Sequence, residues 1–246
     1  PATRARILAN NTLIEDGHFW AGVEFTLHKG WHIYWQNPGD SGIPPSFTWT
    51  LPAGMKAGPI HWPVPERQPM GDLVNYGYAG RVVLPVPIEA GGADTRQGEL
   101  EVKADWLICK DICIPQSAEL RYDLAQSSAM KDSQRLKSAL YKVPEPYEGE
   151  AYITADREGV TLALALPVGT GGAELFPVDD GWFKNNATPR TETRGSWTLF
   201  HLPRGHAEPG DRFSGVLAPA GKAHPIQFTA QHVDALPDSI PEPQTG

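Results

Sequence analysis

The chain holds only two cysteines, Cys109 and Cys113, in the run Trp106-Leu-Ile-Cys-Lys-Asp-Ile-Cys-Ile-Pro115. Such a pair in an otherwise cysteine-free sequence admits three chemistries: electron exchange with another disulfide, a structural cross-link, or thiolate ligation of a soft metal. On a straight strand the two Cα atoms would stand ~13 Å apart at ~3.3 Å per residue, beyond the ~7 Å a disulfide can span. The chain therefore has to turn within Lys110-Asp111-Ile112, and a three-residue hairpin loop would set the sulfurs side by side on neighbouring strands.

A cross-link closing so short a loop contributes only on the order of 2 kcal/mol of loop-closure entropy, and a chain of this size has a core that does not need it. Exchange is thus favoured over a staple. Reactivity requires thiolate and access; Lys110 favours the thiolate, while Asp111 and the acidic background oppose it. Trp106 and Ile108 alternate away from Cys109 and are expected to face the core. Met70, in a Pro-rich segment, is either a lid over the sulfurs or an ordinary gap-filler. For copper(I) or zinc, the two thiols would need histidines such as His28 and His32, expected on one strand face, or His61; the spacing is not the CxxC of zinc ribbons, and the three Met form no run.

The elements that must position this pair read as strands and turns. Among 246 residues there are 25 Gly and 24 Pro, too many for long helices, while 8 Trp, 7 Tyr and 8 Phe supply a real core. Phe19, Ala21, Val23, Phe25 and Leu27 alternate with period 2 after Asp16-Gly17, and Trp31, Ile33 and Trp35 continue the pattern. Asn37 to Pro45 and Pro63 to Asp72 read as loops, since proline lacks the donor that a central ladder needs. Strands follow at Arg81 to Ile88 and Glu99 to Ile108. Residues 126–141, free of Gly and Pro, predict a short helix ended by Pro144-Glu-Pro146. Beyond it, strand signals at Ala151 to Thr154, Val160 to Leu166, Gly195 to Leu202, Asp211 to Leu217 and Pro225 to His232 predict a second sandwich. The expected architecture is all-β: two immunoglobulin-like sandwiches, residues 1–125 and 150–246, joined by a linker with a short helix at 126–149, the second ending in a Pro-rich tail.

A net charge of −8 with no basic run argues against nucleic acid as a partner. No stretch has the ~18 apolar residues of a membrane span, Gly-x-Ser-x-Gly and phosphate-binding Gly loops are absent, and the Asn186 region carries only a weak Asn-x-Thr match. A start at Pro1-Ala2-Thr3 and a Pro-rich end read as a mature, trimmed or excised fragment.

Trp31-His-Ile-Tyr-Trp35, Asn37-Pro-Gly-Asp-Ser-Gly42, Trp62-Pro63, Tyr76-Gly-Tyr78, Leu84-Pro-Val86 and the Cys109/Cys113 segment together resemble the N-terminal periplasmic domain of the DsbD family of transmembrane thiol:disulfide interchange proteins. Within that family the similarity is to the ScsB branch, linked to suppression of copper sensitivity, and it covers residues 6–124. The resemblance implies a soluble periplasmic portion of an inner-membrane protein, with a redox-active disulfide and no other cofactor. It implies electrons arriving from the transmembrane and C-terminal thioredoxin-like domains of the same full-length protein and leaving to a periplasmic thioredoxin-fold partner such as a disulfide isomerase. It also implies Cys113 as the nucleophile that forms the mixed disulfide and Cys109 as the resolving thiol. A cap loop maps to about Arg67 to Tyr76, so Met70, Tyr76, Tyr78, Lys110 and Asp111 are the expected cap and partner-binding residues. Three residues between the cysteines instead of five, and Met70 instead of an aromatic shield, depart from the best-known pattern. The rival expectation is a copper(I)-binding module built on the same cysteines.

Overall fold

The computed structural model describes residues 2–126, 130–166, 172–221 and 223–241. Compactness divides the chain into two units, the first comprising 1–38, 42–68 and 76–143, the second 39–41, 69–75 and 144–246.

The first half of the chain forms β1 (Thr3–Ala9), β2 (His18–Leu27), β3 (His32–Gly39), β4 (Ser46–Thr50) and β5 (Lys56–Ala57). These are followed by β6 (Glu66–Met70), β7 (Leu73–Ala79), β8 (Arg81–Glu89), β9 (Glu99–Cys109) and β10 (Cys113–Asp123). One sheet has the order β1-β2-β8-β5; the other runs β10-β9-β3-β7-β6, with β4 also paired to β9. The alternating residues of β2 face inward as their period requires, with Phe19, Val23 and Phe25 fully buried. Phe25 meets Trp106 of β9 edge-on at 5.2 Å, where one sheet packs on the other. Trp106 and Ile108 are buried as the alternation predicted.

Two sequence expectations change. β3 runs through Asn37 and Pro38 to Gly39, so the loop is only the stretch after it, and Ile33, Tyr34 and Trp35 are all buried instead of alternating. Burial of consecutive residues means that both faces of β3 are covered over this stretch, which erases the half-buried signature. Within the Pro63 to Asp72 segment, Glu66–Met70 is a strand at the edge of its sheet, the position where Pro69 is tolerated because no further strand asks for its missing donor.

The helix α1 (Met130–Tyr141) lies within the expected span, whose residues 127–129 fall outside the described residues. It is not a bare linker. Leu136 and Ala139 pack with Leu8 of β1 and Val83 of β8, and Arg6 bridges Glu24 of β2 (2.9 Å) and Asp132 of the helix (2.8 Å), while Arg135 adds a 3.3 Å contact to Glu24. Leu136→Ala is expected to destabilise the first unit by about 2–5 kcal/mol, because Leu136 is 1 % exposed and truncation leaves a cavity; urea unfolding measures it, and a loss under 1 kcal/mol would mean that the helix is a passive strap.

The second unit holds β11 (Glu145–Pro146), β12 (Ala151–Ala155), β13 (Gly159–Leu164), β14 (Glu174–Pro177), β15 (Arg190–Arg194), β16 (Trp197–Pro203), β17 (Arg212–Ala218) and β18 (Ile226–His232). Two antiparallel layers, β14-β17-β18 and β12-β13-β16-β15, join through a short parallel pairing of β12 with β18. Their shared core includes Ile153, Leu162, Phe200, Phe213 and Phe228. β14 and β15 had no sequence signal: the first is four residues long, and the second, Arg-Thr-Glu-Thr-Arg, is an edge strand with no buried residue. On this edge Glu192 receives hydrogen bonds from Arg194 (2.7 Å) and pairs with His201 (3.0 Å). Arg194, with His201 assisting, brings the Glu192 carboxyl down to about 2. A depressed folded-state value means stability that is present above the ordinary value of 4.5 and lost as pH falls toward about 2. The thermal midpoint of the wild type should therefore drop more steeply across that window than that of Glu192→Gln; parallel curves would refute the linkage.

Among the described residues no helix is long and apolar enough to cross a membrane.

Candidate functional site

β9 and β10 pair over their full lengths from Glu99↔Asp123 to Cys109↔Cys113, leaving Lys110, Asp111 and Ile112 as the turn. The turn is closed by a hydrogen bond from Lys110 N to Ile112 O at 3.1 Å. Cross-strand partners project from the same face of a sheet, so the cysteines meet as the spacing required. They form a disulfide with Cα atoms 4.2 Å apart. The two sulfurs are not equivalent: Cys109 is 0 % exposed, whereas Cys113 lies in the exposed class. Ile112 and Ile114, on either side of Cys113, are exposed apolar side chains.

β3 enters on the other side of β9, with His32 directly across from Cys109. His32, Cys109 and Cys113 thus form one row over three strands. Two residues along the same face of β3, Tyr34 places its hydroxyl 3.8 Å from Cys113 Sγ. The His32 and Tyr34 rings meet edge-on with centroids 5.2 Å apart. Burial pushes the Tyr34 hydroxyl above its ordinary value of 10, so it stays a proton donor, and lowers His32 below 6.5. Tyr34 is positioned by a glycine: a Cβ on Gly42, whose φ is +110°, would lie 2.2 Å from the Tyr34 ring. Sequence reasoning quoted Tyr34 and Gly42 without assigning them roles; the His-x-Tyr alternation on one strand face was the available signal.

The other expected site residues take several places. Lys110 and Asp111 are exposed at the turn, and the Lys110 chain lies over Gly30, where a Cβ would come within 3.1 Å of its Cε. Met70 ends β6, half-buried, and its Sδ accepts a hydrogen bond from Asn75 Nδ2 at 3.4 Å. Asn75, unnoticed in the sequence, is 0 % exposed and also accepts from Ser41 N (3.0 Å) and Ser41 Oγ (3.1 Å). Tyr76 and Tyr78 are buried in β7. Tyr76 packs edge-on to Trp35 at 6.3 Å beneath the Arg67 guanidinium, and Tyr78 donates to Pro63 O at 2.7 Å. Both side chains are therefore held inside β7 and support that strand from within.

The copper or zinc ligand set is not assembled among the described residues. No group of three or more His, Cys, Asp or Glu gathers as a metal ion would need. His28 does not share a strand face with His32: β2 ends at Leu27, and His28 sits exposed in the turn that Gly30 allows at φ +86°. His61 instead packs against Trp20 at 4.9 Å.

A cystine at a hairpin tip, one sulfur buried and the other open beside a tyrosine hydroxyl, agrees with the comparison of the sequence to family models: residues 4–124 match the family described as "Thiol:disulfide interchange protein DsbD, N-terminal". This part of the chain is a DsbD N-terminal domain. Membership in that family implies a role in thiol:disulfide interchange, as part of a multidomain interchange protein. Over both units, the fold is similar to the crystal structure of the N-terminal periplasmic domain of ScsB from Proteus mirabilis, with 20 % identity and a TM-score of 0.72 over 94 % of this chain and 93 % of that one. A titin I-band fragment, I67–I69, aligns at 11 % identity and a TM-score of 0.21, covering 89 % of this chain and 60 % of that chain. Comparison with curated proteins finds no match. The DsbD N-terminal domain thus accounts for β1 to β10 and the whole Cys109–Cys113 hairpin.

Proposed function

We propose that Cys109–Cys113 is a redox-active disulfide that accepts electrons from the membrane-embedded and thioredoxin-like modules of a full-length interchange protein and passes them to a thioredoxin-fold partner in the periplasm. The periplasmic setting draws on the likeness to the Proteus mirabilis domain. The observation that carries the reading is the asymmetry of the pair, open at Cys113 and closed at Cys109. In the reduced protein the Cys113 thiolate attacks a partner disulfide, forming a mixed disulfide and releasing one partner thiolate. Cys109 then attacks Cys113 Sγ, which restores the intramolecular bond and releases the second partner thiol. Ile112 and Ile114 give the partner an apolar rim.

Equilibration with glutathione or dithiothreitol tests this. A potential between about −200 and −270 mV, the range of exchange proteins, is expected, together with a partner mixed disulfide trapped through Cys113 in Cys109→Ala. A potential below about −300 mV with no trapped species would leave a structural bond.

A further inference from the structure

Cys109 poses a chemical problem that Cys113 does not. Its sulfur must lose a proton to resolve the mixed disulfide, yet the residue is 0 % exposed and water cannot take that proton directly. Directly across from it on β3 stands His32, itself 5 % exposed, whose Nε2 is closed off from solvent and hydrogen-bonds to no protein group. A buried polar atom without a partner is costly and calls for a reason. Cross-strand partners have Cβ atoms ~4.5–5.5 Å apart, close enough for a side chain as long as histidine to reach a facing thiol.

We propose that His32 is the proton acceptor for the resolving thiol Cys109. The inference rests on the assignment of Cys113 as attacking and Cys109 as resolving sulfur. In the mixed disulfide, the Cys109 S–H proton passes to His32 Nε2. The Cys109 thiolate then attacks Cys113 Sγ; the Cys109–Cys113 bond forms, the bond from Cys113 to the partner sulfur breaks, and the electron pair leaves on that sulfur. The proton follows from His32 to the departing thiolate, so the cysteine pair is oxidised by two electrons, the partner is reduced by two, and the imidazole returns to its neutral form. Reduction of the cystine runs the same steps backward, with His32 returning a proton to Cys109. The lowered pKa of the buried ring keeps it neutral, hence able to accept, at neutral pH. Tyr34 fits the same division of labour: its hydroxyl faces Cys113 and leaves Cys109 to the imidazole.

The test uses the reduced chain in slight excess over the aromatic disulfide dithionitrobenzoate, followed by stopped-flow absorbance. Each molecule of reagent releases one thiolate when Cys113 attacks and a second when Cys109 resolves, so the two steps appear as successive phases. In His32→Gln the first phase is expected to keep its rate and the second to slow by about 100-fold, the lower end of what a positioned base contributes. In His32→Gly, added imidazole should restore the second phase alone. A second phase within twofold of wild type, or equal slowing of both phases, overturns the role of His32. Where circular dichroism finds that Gln at this position unfolds the sheet, His32→Tyr fills the space without a base at neutral pH and is read the same way. Failure of the underlying assignment looks different: the wild type would release no second equivalent, or the first phase would survive in Cys113→Ala.

Discussion

Tyr34→Phe lowers the rate at which Cys113 attacks a disulfide at pH 7 by roughly three- to fifteenfold. The hydroxyl lies 3.8 Å from Cys113 Sγ and remains protonated because burial raises its pKa, so it stabilises the thiolate over the thiol. A hydrogen bond to a charged group contributes about 1.5–3 kcal/mol, or roughly one to two units of thiol pKa. Each unit lost costs tenfold in thiolate but returns about threefold in intrinsic nucleophilicity, which leaves the stated net effect. Alkylation with iodoacetamide across pH reads the thiol pKa directly; an unchanged value in the Phe variant would remove Tyr34 from the site's electrostatics.

Gly42→Ala reaches the same site from behind and has the larger effect on stability. At φ +110° an alanine is strained by about 1–3 kcal/mol, and its Cβ would stand 2.2 Å from the Tyr34 ring, adding about 1–3 kcal/mol of overpacking. The expected loss is roughly 2–6 kcal/mol in urea unfolding. Displacing Tyr34 should also reproduce the Phe variant's slower attack, so the double substitution should be no slower than the worse of the two singles. Additive effects on the rate would mean that the glycine acts on the cystine independently of Tyr34.

The pairing of Cys109 with Cys113 was legible in the sequence because two residues at that spacing can meet only through a turn, and the turn has room for nothing but Lys110, Asp111 and Ile112. The alternation of β2 and the burial of Trp106 and Ile108 were legible for a similar reason: a sheet with one buried face writes its period into the chain. β3 defeats that reasoning, since a strand covered on both faces has no alternation to read. Tyr34, which sits on it, was therefore visible as part of a motif but not as a site residue, and His32 only as a candidate metal ligand, because their places depend on which strand lies beside β9. Tyr76 and Tyr78 stood out through the family resemblance alone, and their burial could not be read from the sequence because it depends on how β7 sits in its sheet. β15 left no trace because Arg190–Arg194 buries nothing.

The cystine closes its short loop at the end of a ladder eleven pairs long. Breaking the bond removes a tether that the ladder scarcely requires, so oxidised and reduced chains should differ in folding free energy by only about 2 kcal/mol. By the closed cycle linking folding with reduction, that difference equals the gap between the couple's potential in the native protein and in the unfolded chain, about 40 mV. The fold thus imposes little voltage bias of its own, and electron flow can reverse with the partner's poise without the sheet having to melt. Calorimetry on the two forms, which uses no electrode, weighs this electrical quantity.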